Sequence, residues 1–107
     1  MNTDRLSQLQ ALLADEPGDS FLRYAVALEL KRLGRAPEAM TWLEQLLTDR
    51  PEHIPTYYQL AVMYAEAGRT AEAISACDAG ALRCIMTEDR KTRAELLALK
   101  ATLEEDD

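Results

Sequence analysis

Apolar residues recur three and four positions apart in six blocks along this chain, and Gly or Pro punctuates most of them. Leu6, Leu9 and Leu13 stand at i, i+3 and i+7 with Leu12 beside them, and Pro17 and Gly18 close the block. Val26, Leu30 and Leu33 form the second stripe, which Gly34 stops. Met40, Leu43 and Leu47 form the third, closed by Pro51. Leu60 and Tyr64 carry the fourth up to Gly68; the fifth runs from Thr70 to Met86, and Leu96, Leu99 and Leu103 make the sixth. A 3.6-residue period predicts amphipathic helices, here six of roughly 12–18 residues with short connectors and no room for strands.

The ends of these blocks carry start and stop signals. Asp19 or Ser20 is placed to cap the second helix, because a short side-chain oxygen can accept from the free N–H groups of a first turn. Pro37 suits the first turn of the third, where a missing N–H costs nothing. Thr70 is the expected N-cap of the fifth helix, and Thr87 to Arg90 offers the sixth a weak capping box without its usual Glu. Gly80 interrupts the fifth helix at an expected cost of about 1 kcal/mol relative to Ala.

Two blocks say nearly the same thing. KRLGRAPEAM at 31–40 returns as AEAGRTAEAI at 65–74, with Gly34 and Gly68 thirty-four residues apart. Arg35 maps to Arg69, Glu38 to Glu72, Ala39 to Ala73 and Ala27 to Ala61. A period of this length marks stacked helical hairpins, none of which buries its apolar stripe alone. The small residues Ala27, Ala39, Ala61 and Ala73 stand where paired helices must approach, and the large Leu30, Tyr64, Leu43 and Leu47 are expected to fill the gaps. The pattern resembles the tetratricopeptide repeat, W-x2-L-G-x2-Y, then A-x3-F, then P. The first copy reads Arg23, Val26, Ala27, Leu30, Gly34, Ala39, Leu43 and Pro51; the second reads Tyr57, Leu60, Ala61, Tyr64, Gly68, Ala73 and Cys77. The resemblance implies an all-α fold, a right-handed α-solenoid of antiparallel helix pairs. It implies a single domain over 1–107: an N-terminal half-repeat helix at 1–19, repeats at 20–53 and 54–87, and a capping helix with an acidic tail at 88–107.

Composition narrows the function. The chain has 107 residues, enough for one domain, and a net charge of −7 from 12 basic and 19 acidic residues. Such a surface repels phosphate backbones, so nucleic acid is a poor partner. No apolar run approaches the roughly 20 residues that span a bilayer, and MNTDRLSQLQ does not read as a secretory signal. The expectation is a cytoplasmic protein without membrane insertion. The tail Glu104 to Asp107 reads as a solvated end.

Candidate chemistry is sparse. Cys77 and Cys84 lie about 10 Å apart along one helix, beyond disulfide reach, and read as two packed thiols. His53 is the only His, no CxxC occurs, and the expectation is no metal. Cys77 with His53 is the one Cys–His pair available for nucleophilic catalysis, with no third group to orient it. No Gly-rich phosphate loop is present. No enzyme activity and no cofactor are expected.

The family resemblance implies a concave face lined by the first helix of each pair. The positions falling there are Phe21, Tyr24, Leu28 and Lys31 from the second segment, and Tyr58, Val62 and Ala65 from the fourth. Some members of the family clamp a peptide's terminal carboxylate with Lys and Asn. This chain has one Asn, Asn2, so that clamp is missing, although Lys31, Arg32 and Arg93 could meet an acidic group. The implied function is a non-catalytic scaffold that binds a peptide or helix of a partner protein in an apolar groove. The alternative is a structural or self-associating module, a homodimer whose groove is filled by itself.

Overall fold

The structure, a computed structural model, describes residues 2–105 and the side chains of residues 5–105. Among the described residues there are six helices: α1 (Asn2–Asp15), α2 (Ser20–Arg32), α3 (Ala36–Asp49), α4 (Ile54–Glu66), α5 (Thr70–Thr87) and α6 (Arg90–Glu105). There is no strand among the described residues. No helix among them is long and apolar enough to cross a membrane. Asp106 and Asp107 of the acidic tail lie outside the described residues, as does the side chain of Asn2. The chain divides into two compact units, residues 1–53 and 54–107.

In the first unit α2 packs against both α1 and α3. Its core holds Leu6, Val26, Ala27, Leu30, Ala39, Leu43 and Leu46. The α3 stripe differs from the sequence expectation. Leu46 is fully buried, whereas Met40 and Leu47 are only half-buried. The stripe that reaches the core runs through Ala39, Leu43 and Leu46, because the small Ala39 is what lets α2 come close. Met40 and Leu47 sit about 80–100° around the helix from it and flank the contact.

Short local devices turn the chain. Asp19 caps α2, its Oδ1 accepting the Leu22 N–H at 3.0 Å. Gly34 and Gly68 end α2 and α4 in the left-handed region, at φ 81° and 78°. In both turns the next Arg N–H reaches five residues back, Arg35 to the Leu30 carbonyl at 2.9 Å and Arg69 to the Tyr64 carbonyl at 2.8 Å. The same Arg residues occupy the N-caps of α3 and α5 without a side-chain cap, so Thr70 is the first helical residue and not the cap expected of it. Instead each Arg forks onto a Glu three residues on, Arg35 to Glu38 at 2.8 Å and Arg69 to Glu72 at 2.7 Å for both bonds of each fork. Thr87 likewise does not start α6. It ends α5, and Asp89 caps α6 by accepting the Thr92 N–H at 3.1 Å.

In the second unit α5 packs against α4 and α6. Tyr57, Leu60, Ala61, Met63 and Tyr64 from α4 meet Ala73, Cys77 and Cys84 from α5 and Leu96 and Leu103 from α6 in the core. Both thiols are free and buried, and burial pushes both upward from the usual thiol range. α5 has 18 residues where α3 has 14. α6 accordingly starts at Arg90, two residues beyond the place thirty-four after the start of α4. Gly80 also gains a reason. A Cβ there would lie 2.7 Å from Tyr57 Cβ and 2.8 Å from Leu96 Cδ1.

Two substitutions test these features, with stability read by thermal melting. Gly80→Ala gains about 1 kcal/mol of helix propensity but overpacks a site walled by a Tyr Cβ, at roughly 1–3 kcal/mol. The expected result is a net loss of about 1 kcal/mol, a fall in Tm of several degrees. A rise in Tm would show that α4 and α6 yield freely. Glu88, which closes α5, is a non-glycine residue in the left-handed region, at φ 59°. Glu88→Gly is expected to stabilise by about 0.5–1 kcal/mol, and a destabilised variant would contradict that reading.

Candidate functional site

α2 turns Val26, Ala27 and Leu30 inward, which leaves Phe21, Tyr24 and Leu28 on its other side. Phe21 is 73% exposed, while Tyr24, Leu28 and Lys31 are half-buried. A cleft of about 390 Å³ in the first unit brings Phe21, Tyr24 and Leu28 together with Ala25, Arg5, Glu29 and Arg32. Lys31 does not line it. Tyr24 is held by His53, the ring centroids 5.3 Å apart and tilted by 52°. Burial lowers the His53 pKa from the usual imidazole range. His53 therefore packs an aromatic ring in the first unit, and Cys77 is sealed in the core of the second with its thiol pushed up. Neither is set up for nucleophilic chemistry, which needs an accessible, readily ionised thiol.

The polar wall of the cleft was only partly legible. Glu29 is 4% exposed, yet it is charged. Arg32 donates from Nε to Oε1 at 2.9 Å and from Nη2 to Oε2, and Arg5 Nε lies 3.6 Å from Oε1. The Arg32 hydrogen bonds hold the Glu29 carboxyl below the usual carboxylate range, against the opposing effect of burial. Arg32 follows Glu29 at i+3, a spacing that predicts an ion pair. The reach of Arg5 from α1 had no sequence signal, because it depends on how α1 lies on α2.

In the second unit Tyr58, Val62 and Ala65 share one side of α4. Tyr58 is exposed and the other two are half-buried. The buried side of the same helix holds Tyr57, Leu60, Ala61 and Tyr64. The Arg69 guanidinium stands 4.7 Å from the centroid of the Tyr64 ring. The two tyrosines that match the repeat motif are thus core, and Tyr58 is the one left at the surface.

Other concave places exist. Arg23, Thr41, Trp42 and Gln45 line a cleft of about 280 Å³ in the first unit. Arg23 stands at a motif position of the aromatic type; it is largely buried and donates to Asp49 Oδ2 at 2.8 Å. The turn after α5 forms a smaller hollow of about 210 Å³, with Arg93 on its wall. Among the described residues no group of three His, Cys, Asp or Glu side chains could hold a metal ion.

No protein-family model matches the chain, and no curated protein matches it by sequence. Solved structures do. A tetratricopeptide repeat domain protein from Salinibacter ruber, determined in solution by NMR, is 31% identical, with 85% of this chain and 92% of that one covered and a TM-score of 0.82. The TPR2B domain of yeast Sti1, solved as a complex with pHsp70, is similar at 16% identity, 99% and 85% coverage and a TM-score of 0.88. The type III secretion translocator chaperone SycD of Yersinia enterocolitica is similar at 14% identity, 98% and 73% coverage and a TM-score of 0.87.

The ion pairs give the protein an acid-sensitive side. Glu29, Glu38, Asp49 and Glu72 all have pKa values lowered by a hydrogen-bonded Arg. A carboxyl depressed by folding binds protons less readily in the native state than in the unfolded one. The stability it contributes is complete above its unfolded pKa and is lost as pH falls through the folded value. Melting temperature is therefore expected to be flat near neutrality with respect to these groups and to fall below about pH 4. Glu29→Gln should lower Tm at pH 7 and shrink the acid-induced drop. An unchanged pH profile in that variant would show that Glu29 contributes nothing to it.

Proposed function

This chain belongs to the tetratricopeptide repeat family, and from that premise we propose that it is a non-catalytic protein-interaction scaffold. Its ligand is a peptide or helix of a partner protein, taken on the side of α2 that carries Phe21, Tyr24, Leu28 and Lys31 and on the side of α4 that carries Tyr58, Val62 and Ala65. One observation carries this reading. Tyr24 and Tyr58, like Leu28 and Val62, occupy equivalent places thirty-four residues apart and all remain accessible, while Val26, Leu30, Leu60 and Tyr64 beside them are buried. Core packing does not require accessible tyrosines at both places, whereas a partner surface uses their broad ring and polar tip. The TPR2B domain of Sti1 in its complex with pHsp70 supports the same reading by likeness of fold. The division into a half-repeat helix, two repeats and a closing helix belongs to this proposal. So do the cytoplasmic placement and the absence of nucleic acid among the partners.

The test begins with peptides selected from a display library on the intact chain. Tyr24→Ala combined with Tyr58→Ala should weaken the selected peptides by about thirtyfold or more, since even one central interface aromatic contributes about 2 kcal/mol or more. Circular dichroism and reversible unfolding should stay close to those of the parent. Collapse of the fold would make the tyrosines core residues. Retained binding on an intact fold would place the working surface elsewhere.

A further inference from the structure

α5 carries a second apolar surface, on the side away from the core of its unit. Leu82, Ile85 and Met86 are 63%, 56% and 69% exposed, at i, i+3 and i+4. Ala71, Ser75, Asp78 and Ala79 are exposed on the same side of the helix, all within about 60° of Leu82 around the axis. The first repeat supplies an internal comparison. The positions of α3 equivalent to Ser75, Asp78, Ala79 and Leu82 are Thr41, Glu44, Gln45 and Thr48, an ordinary exposed polar face. In α5 two of those four polar groups are gone, replaced by Ala79 and Leu82. The turn that lengthens α5 past the end of α3 extends it with Ile85 and Met86. A solvent-facing helix side gains nothing from such residues, whereas an interface does.

The face has a directional pattern. Its N-terminal half is small, with Ala71, Ser75 and Ala79, and its C-terminal half is large, with Leu82, Ile85 and Met86. We propose that α5 is a self-association surface, on which two copies of the chain pair their α5 helices antiparallel about a two-fold axis near Asp78 and Ala79. In that register Leu82 lies opposite Ser75 of the second copy and Met86 opposite Ala71 of the second copy, so each bulky half fills the other's shallow half. Charge agrees with size. Arg83 and Glu72 lie on the same flank of α5, and the register brings Arg83 within side-chain reach of Glu72 of the second copy, a carboxylate also held by Arg69 of its own chain. On the other flank each Asp78 is already neutralised by Lys100 of its own chain, at 2.8 Å, so the two aspartates near the axis do not repel as bare charges. The pairing uses none of Phe21, Tyr24 and Tyr58, which sets it apart from self-association through the groove.

Sedimentation equilibrium of the whole chain from about 1 µM to 1 mM tests the proposal. A mass rising to twice the 12.0 kDa of one chain is expected. Leu82→Glu with Met86→Glu should weaken the dimer by about a hundredfold or more. Ser75→Glu alters an exposed position with no role in the core and should also dissociate the dimer, because its charge would face Leu82 of the second copy. That second variant keeps the test decisive if the first fails to fold. Phe21→Ala should leave the dimer mass unchanged. A monomer throughout the range, a dimer that persists in Ser75→Glu, or a dimer lost in Phe21→Ala would each overturn the proposal, and none bears on peptide binding by α2 and α4.

Discussion

Close approach of helices, through residues too small to keep them apart, is the constraint on which each unit depends. Short amphipathic helices gain most of their stability from packing. Ala27, Ala39, Ala61 and Ala73 are completely buried for this reason. Gly80 is the limiting case, since even a methyl group there would strike Tyr57 and Leu96. The glycine is costly to a helix considered by itself. It is the condition for three helices to share one core.

The ends of the helices follow from the same economy. Gly34 and Gly68 let α2 and α4 stop and reverse within a few residues, and the following Arg serves both turn and next helix. Its backbone N–H closes the turn, and its side chain forks onto the Glu of the first turn. α5 ends with the same backbone hydrogen bonds, but with Glu88 in the glycine's place. That end is also where the exposed apolar residues of α5 gather.

Packing also sorts one set of aromatic residues into two roles. Tyr57 and Tyr64 go to the core, Tyr58 to the surface and Tyr24 to a half-buried place, although all four lie on α2 and α4. Position on the helix decides this, because a shift of one residue rotates a side chain by about 100°. The faces left over are unlike one another. The accessible side of α2 is bordered by Arg5, Arg32 and a buried Glu29, whereas the outer side of α5 is apolar and nearly uncharged. They suit different occupants.

By itself the sequence determined the class of fold: helical spacing, glycine stops and a thirty-four-residue period are local signals that need no tertiary contact to be read. It also offered Asp19 or Ser20 as a cap, and placed Ala27 and Ala61 at helix contacts and Phe21, Tyr24 and Leu28 on one side of α2. The tertiary structure alone decided which of two equally spaced stripes on α3 is core, choosing Leu46 over Leu47, because both satisfy the helical period and only contact with α2 distinguishes them. It alone moved the caps from Thr70 and Thr87 to the backbone of Arg69 and the side chain of Asp89, since a helix begins where the preceding turn releases it. It alone brought Arg5 to Glu29, and made Gly80 a requirement rather than a defect. Those outcomes depend on distances between helices, which are set by the whole packed unit and leave no mark on the spacing of residues along a single one.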